Sequence, residues 1–168
     1  RVLIAREIQV KTDLFIGVVI DCSGSMASGE NMPRARLFGA LIAEAARAMP
    51  SVDVRIFGFT DRVIYDAGDA RCPAVHALEA GGGNNDAGAL WHAANVARAS
   101  RRRAKLLVMI SDGMPTECSA AALKHLALEL TRRHKMCCAQ IAVQPLPEVL
   151  FPHYVECDGP DTDAVVRR

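Results

Sequence analysis

Two long stretches of this chain are mostly apolar, Leu14–Ile20 and Ala104–Gly113, and the second contains Lys105 and ends in polar residues. Such runs are typical of strands buried on both faces of a parallel sheet, because a half-exposed strand would alternate apolar and polar positions. Alternation is seen at Val2–Val10, where Arg6 interrupts the pattern. This segment predicts a peripheral strand.

Helical periodicity follows in three places. Pro33 begins a segment that extends to Met49, Asp86–Ala99 repeats apolar residues at helical spacing, and Ser119 is a suitable N-cap for a third helix. The predicted apolar faces consist of Leu37, Leu41, Ala45, Phe38, Ile42 and Met49 in the first helix, Leu90, Ala94 and Ala97 in the second, and Leu123, Leu126 and Leu130 in the third.

Between these helices, Asp53–Thr60 and Arg62–Asp66 are separated by almost nothing, which predicts an antiparallel hairpin. Cys72–Glu79 is expected to form a short helix, and residues 136–146 and 153–157 to contain further strands. Alternating strands and helices predict an α/β, Rossmann-like, doubly wound sheet. We expect this sheet to be mostly parallel, with one antiparallel edge strand and helices on both faces.

Length and composition favour one domain over residues 1–168, because 168 residues with 51% hydrophobic content can bury one core. The last residues, DTDAVVRR, resemble the start of a truncated helix. The charge of +1, from 20 basic and 19 acidic residues, gives no field that favours nucleic acid or a membrane surface. No stretch approaches the roughly 18 apolar residues of a membrane span.

The cysteines also bear on the compartment. None of the six forms a C-x-x-C pair, and most lie in or beside apolar strands. This distribution favours buried, reduced thiols over a disulfide framework and therefore a cytoplasmic location. The adjacent Cys137 and Cys138 are expected to point to opposite faces of a strand and to be inert.

Polar side chains follow the apolar runs where ligands bind in doubly wound sheets, beyond the carboxyl ends of the strands. The first run ends in Asp21, Ser23 and Ser25, which alternate and so share one direction, while Cys22 is expected to point away. The other two segments are Gly81–Asp86 and Ser111–Gly113. Together they offer only oxygen ligands, which favours Mg²⁺, with Mn²⁺ or Ca²⁺ possible, over zinc or copper.

Simpler roles remain open for the same residues. Asp21, Ser23 and Ser25 are also typical turn and capping residues, and Asn84 or Asp86 is equally suited to cap the helix that follows.

Neighbouring segments carry the same ambiguity. The basic segment Arg101–Lys105 would fit a phosphate-binding patch, although a solvated helix end is the commoner explanation. Trp91 and His92 would fit either a partner surface or core packing.

The D-x-S-x-S motif at residues 21–25, the glycine-rich loop and S-D-G-x-P at Ser111–Pro115 resemble the metal-ion-dependent adhesion site of von Willebrand factor A (VWA) domains. The resemblance covers almost the whole chain. Gly58–Thr60, Asn84–His92 and Ile110–Pro115 are similar to a bacterial cytosolic branch, which includes a cobalt-chelatase subunit that works with a MoxR-type AAA+ ATPase.

This resemblance implies a role for each residue. Ser23 and Ser25 would bind the cation directly, and Asp21 and Asp112 would bind it or hold its waters. The usual threonine of the glycine loop is absent, and Asn84 aligns with it, with Asp86 two residues later. The implied function is a non-enzymatic interaction module whose metal shell is completed by an acidic side chain of a protein partner, with a MoxR-type ATPase in the same system.

Two other functions are less consistent with the sequence. A metal-dependent hydrolase would use the same acidic and serine cluster, but no histidine adjoins these loops and no G-x-S-x-G or Walker motif is present. A nucleotide or nucleic-acid binder is disfavoured because the loop G-G-G-N-N-D is not G-x-G-x-x-G and does not follow a strand directly.

Overall fold

The computed structural model describes residues 13–157, which form a single open sheet of six strands with helices on both sides. The strand predicted at 2–10 and the helix predicted at the C-terminus lie outside the described residues. The strands are β1 (Leu14–Asp21), β2 (Val52–Phe59), β3 (Ile64–Asp69), β4 (Ala104–Ser111), β5 (Met136–Ala142) and β6 (His153–Glu156), in the spatial order β3-β2-β1-β4-β5-β6.

The sheet is parallel except at one edge, where β3 runs antiparallel to β2. The predicted fold class is therefore confirmed, including the hairpin between β2 and β3. The central strand β1 pairs with β2 on one side and with β4 on the other. The chain thus reverses its winding direction between β1 and β4, and the carboxyl ends of these two strands form the topological switch point.

The helices are α1 (Asn31–Arg47), α2 (Asp86–Ala99) and α3 (Ala120–His134). Alternate side chains of β1 face two separate clusters: Val18 and Ile20 pack with α1, while Val19 packs with α2 and α3. The buried runs predicted from the sequence are continuous because both faces of these central strands are covered.

The predicted apolar face of α1 is partly wrong. Leu37 and Leu41 are 57% and 55% exposed, and Ala45 and Met49 also lie on the surface. The residues that face the sheet are instead mostly small. Those buried are Asn31, Met32, Ala35, Gly39, Ala43 and Ala46, with Phe38 and Ile42 partly buried beside them.

Close packing explains this choice of face. A Cβ atom placed on Gly39 would lie 2.9 Å from Cδ1 of Ile20 and 3.0 Å from Cγ1 of Val75. The helix therefore approaches the sheet more closely than a leucine face would allow, and the larger apolar side chains are displaced to its flanks.

The other helices largely match the sequence prediction. The bounds and buried face of α2 are confirmed, with Leu90, Ala94 and Ala97 fully enclosed. Ser119 caps α3 by accepting a hydrogen bond from the Ala122 amide. The helix predicted at Cys72–Glu79 is reduced to a single 3₁₀ turn. None of the helices within residues 13–157 is long and apolar enough to cross a membrane.

All six cysteines are described and all are free thiols. Cys22, Cys138 and Cys157 are buried, but Cys72 and Cys137 are exposed, so the expectation of burial is wrong for these two. Cys137 and Cys138 differ in exposure because consecutive strand residues point to opposite faces of the sheet.

Candidate metal centre

The loops after β1, before α2 and after β4 meet at the switch point. The glycine loop is fastened to the loop after β1 by two backbone hydrogen bonds, from Gly24 N to Gly82 O at 2.9 Å and from Gly81 N to Cys22 O at 2.7 Å. Gly82 has a φ of 84°, a conformation that glycine adopts without steric cost. The sequence segments expected to converge are therefore adjacent in the fold.

Two serine hydroxyls connect the first loop to the third. Ser23 Oγ lies 3.0 Å from Ser25 Oγ, which in turn donates to Asp112 Oδ1 at 2.8 Å. Asp21 Oδ1 accepts a hydrogen bond from the Ser23 amide at 2.7 Å. This local bond is typical of a turn, and it leaves Ser25 Oγ free to bond to Asp112.

Cys22 points away from these oxygens, as predicted. Its Sγ belongs to the cluster beneath α1, and its thiol donates to the Ile20 carbonyl at 3.5 Å.

Asp112 is also held from its other side. Asn31, the first residue of α1, donates from Nδ2 to Asp112 Oδ2 at 2.9 Å. Gln144 donates to the Asp112 carbonyl, and its Oε1 lies 3.4 Å from the same Asn31 nitrogen. Neither Asn31 nor Gln144 was predicted as a site residue, although Gln144 follows β5, the strand next to β4.

The side chain of Asn84 is engaged at both ends. Its Oδ1 accepts a hydrogen bond from the Thr116 amide at 2.8 Å, and its Nδ2 donates to the Met114 carbonyl at 3.3 Å and to Asp21 Oδ2 at 3.5 Å. Because the amide oxygen is satisfied by Thr116, Asn84 presents a donor to Asp21. This orientation favours Asn84 as a support for Asp21 rather than as a ligand.

Asp86, the first residue of α2, is different. It is 1% exposed, and within the described residues neither carboxylate oxygen has a hydrogen-bond partner. The helix is capped by Asn85, whose Oδ1 accepts from the Gly88 amide at 2.9 Å. The N-cap is therefore neither Asn84 nor Asp86, although Asp86 lies in the first turn of α2, where the helix dipole favours a negative charge.

The site is short of positive charge. Burial, partly offset by hydrogen bonds from Ser23, raises the pKa of Asp21 to about 6, and the nearby Asp112 adds to the rise. Burial also raises the pKa of Asp86 to about 7, with further contributions from Asp21 and Asp112 that its own backbone N–H partly opposes. Among the described residues, no ion pair involves any of these three aspartates.

This donor set fits a hard divalent cation. In residues 13–157 no three His, Cys, Asp or Glu side chains are grouped closely enough to form a metal site by themselves. A cation here would therefore need the serine hydroxyls as well as the carboxylates. An all-oxygen shell of this kind, with an unpartnered buried Asp86 nearby, suits Mg²⁺, Mn²⁺ or Ca²⁺.

Comparison with known proteins bears on the fold. No protein-family profile and no curated protein matches the chain. Among solved structures, the VWA domain of SpRpn10 matches with a TM-score of 0.65 and 14% identity, over 84% of this chain and 86% of that one. The chain has a VWA fold.

Two further matches share this fold. Proximal thread matrix protein 1 of the mussel byssus, solved with a zinc-occupied adhesion-site motif, has a TM-score of 0.64 and 15% identity, over 86% of this chain and 37% of that one. The VWF domain of the pilus tip protein Mfa5 of Porphyromonas gingivalis has a TM-score of 0.55 and 23% identity, over 64% and 40% of the two chains. The chain spans 20% to 40% of the pilus proteins that it matches.

Two other segments with open interpretations have structural roles. His92 packs its ring edge-to-face against Phe57 at 4.8 Å, whereas Trp91 is 45% exposed. In the basic segment, Lys105 Nζ donates to the Ser100 carbonyl at the end of α2 and Arg102 binds acidic side chains. These contacts favour the helix-end explanation over a phosphate-binding patch.

Proposed function

We propose that this VWA domain is a divalent-cation-dependent protein-interaction module, in which an acidic side chain of a partner completes the metal shell. The observation that carries the proposal is the convergence of Asp21, Ser23, Ser25, Asp86 and Asp112 at the switch point, with no cationic side chain paired to the acids among the described residues. The zinc-occupied motif of the mussel protein supports a metal-binding role for this fold.

The chemistry of the residues supports the same conclusion. Ser23 and Ser25 would contribute neutral oxygens, and Asp21 and Asp112 would contribute charge directly or through water. Asn31, Asn84 and Gln144 would fix the orientation of the two acids. A bound cation would supply positive charge that attracts a carboxylate at a vacant coordination position.

Metal binding is the first test. Calorimetric titration of the chain with Mg²⁺, Mn²⁺ and Ca²⁺ should give one site, and Ser25→Ala should weaken it because both an oxygen and the contact to Asp112 are lost. Ser28→Ala, at an exposed serine just after the short helical turn, is the matched control and should bind like the wild type. Absence of any cation binding would refute the proposal.

The partner belongs to the proposal as well. The resemblance to the cobalt-chelatase branch supports a MoxR-type AAA+ ATPase in the same system. A purified ATPase of this class, encoded near the parent gene, should be retained by the immobilised domain in Mg²⁺ and released by EDTA. Retention that is unchanged by EDTA and by Asp21→Ala would exclude the metal-dependent contact.

A metal-dependent hydrolase is the second candidate. The contact from Ser25 Oγ to Asp112 favours it, since a nucleophilic hydroxyl needs a base as hydrogen-bond acceptor. Among the described residues, however, no histidine bonds to either serine of the site, and we propose that the domain is not an enzyme. Phosphatase or esterase turnover that disappears in Ser25→Ala would establish the hydrolase instead.

A cytoplasmic location completes the proposal. The six free thiols, two of them exposed, support a reducing compartment. Thiol alkylation in intact cells followed by mass spectrometry should label Cys72 and Cys137 without prior reduction. Labelling of these two cysteines only after reduction would contradict this location.

A further inference from the structure

Asp86 has no role in the hydrogen bonding of the described fold. Asp112 accepts hydrogen bonds from Ser25 and Asn31, and Asp21 accepts one from the Ser23 amide, but neither Asp86 oxygen accepts one from another described residue. Its side chain is 1% exposed, so water does not solvate it freely. A buried carboxylate without a partner is strongly unfavourable, and its presence therefore indicates a ligand.

The position of Asp86 identifies that ligand as the cation of the proposed site. Asn84, two residues before Asp86, donates to Asp21 Oδ2 at 3.5 Å, and Ser25 joins the same loop to Asp112 at 2.8 Å, so the start of α2 lies beside the acids of the site. The charges of Asp21 and Asp112, which both raise the pKa of Asp86, agree with this placement. Neighbouring side chains leave Asp86 free for this role, because Asn85 caps α2 and Asn84 is bonded to Thr116.

We infer that Asp86 supplies a third negative charge to the cation, which strengthens retention of the metal and weakens its attraction for a partner carboxylate. This inference rests on the proposed function. Two carboxylates balance the charge of a divalent ion, and Asp86 leaves the loaded site with a formal charge of −1. The number of charged ligands is a main determinant of affinity at oxygen-ligand sites.

The consequence is a site that holds its cation before the partner arrives. An incoming carboxylate would meet a loaded site that is already negative, so its Coulombic gain is smaller than at a site with two acids. The acidic contact would then be weak and readily reversed, and specificity would depend on the surrounding surface.

The experiment uses Mn²⁺ alone as the probe and acetate as the partner carboxylate. We expect Asp86→Asn and Asp86→Thr to weaken Mn²⁺ binding roughly 10-fold or more by calorimetry. Acetate should displace water from the bound Mn²⁺ at roughly 10-fold lower concentration in these variants, read by water-proton relaxation. The matched control is Asp53→Asn, which makes the same charge change at an exposed position. Asp53 lies at the amino end of β2, away from the proposed site.

The outcomes separate the two proposals. If the wild type binds no Mn²⁺, the proposed function fails. If the wild type binds Mn²⁺ and both variants match it in metal and acetate affinity, only the role of Asp86 is overturned. If neither variant folds, the wild type alone provides the test. Acetate should then displace water from Mn²⁺ bound to the wild type less readily than from free Mn²⁺. Equal or easier displacement would overturn the inference.

Discussion

Acidic side chains lie at both ends of the parallel strands, but their surroundings differ. At the amino end, Arg102 binds Asp53 at 2.8 Å and Asp13 at 3.5 Å, and all three side chains are partly exposed. At the carboxyl end, Asp21, Asp86 and Asp112 are buried, with no cationic partner among the described residues. The bond from Arg102 lowers the pKa of Asp53, whereas burial raises the pKa of Asp21 and Asp86.

This difference shows what each end is suited for. At the amino end each of these acids already has a cationic partner, and exposed ion pairs of this kind contribute little to stability. The carboxyl end carries negative charge that the described protein does not balance, at an energetic cost to the fold. The unbalanced charge is consistent with a cation as the missing component.

The largest expected effect comes from removing a carboxylate at the carboxyl end. Asp112→Ala should reduce Mg²⁺ affinity on the order of 1,000-fold, because it removes a charge and releases both Ser25 and Asn31. Isothermal titration calorimetry measures this loss directly. Asp66→Ala, at an exposed acid on β3, is the control, and equal losses in both variants would show that the effect is not local.

The second largest effect is expected in the pH dependence of the stability of the metal-free domain, which should reflect the buried acids at the carboxyl end. Because the pKa values of Asp21 and Asp86 rise from 3.8 to about 6 and about 7, the folded state binds more protons than the unfolded state between these values. Stability should therefore fall as the pH rises from about 5 to about 7.5, by an amount on the order of 4 kcal/mol.

Urea unfolding of the metal-free domain at pH 5 and pH 7.5 measures that difference. Saturating Mg²⁺ should reduce the loss, because the cation replaces the protons as the source of positive charge. Equal stability at the two pH values without metal would contradict the electrostatic description of the carboxyl end.

Support residues should produce a smaller effect. Asn31→Ala should lower Mg²⁺ affinity about 10-fold, because Asp112 loses the donor that fixes Oδ2 while every candidate ligand is retained. Asn95→Ala is the matched control, since Asn95 is exposed on α2 and its side chain accepts a hydrogen bond from Arg98. An unchanged affinity in Asn31→Ala would mean that the orientation of Asp112 is set elsewhere.

The smallest effect is expected at the amino end. Arg102→Ala should lower the melting temperature only slightly, by about 2 °C, because its ion pairs are exposed and screened. Mg²⁺ affinity should not change. A loss of metal binding in this variant, measured by the same calorimetry, would show that the two ends of the sheet are coupled.

Much of the fold could be predicted from the sequence because a strand that is buried on both faces consists mainly of apolar residues. The strands at Leu14 and Ala104 are covered on both faces, so their apolar runs are continuous. The face of α1 could not be predicted in the same way, since Leu37 and Leu41 are large and apolar yet exposed. Hydrophobicity alone does not report how closely a helix approaches a sheet.

The candidate site could be predicted only in part. The spacing of Asp21, Ser23 and Ser25 indicated oxygen ligands, but no local pattern distinguished Asn84 from Asp86 as a ligand. That choice depends on Thr116, which occupies the Asn84 oxygen from 32 residues away. The support of Asp112 by Asn31 depends on a contact across 81 residues, which no local pattern encodes.

Gly39 is a buried residue in the middle of α1, about two turns beyond Asn31. A methyl group there would meet Ile20 and Val75 and push the helix outward. Because Asn31 belongs to the same helix, its hydrogen bond to Asp112 would be weakened as well. The small size of Gly39 thus helps to place Asn31 against Asp112 from a distance of about two helical turns.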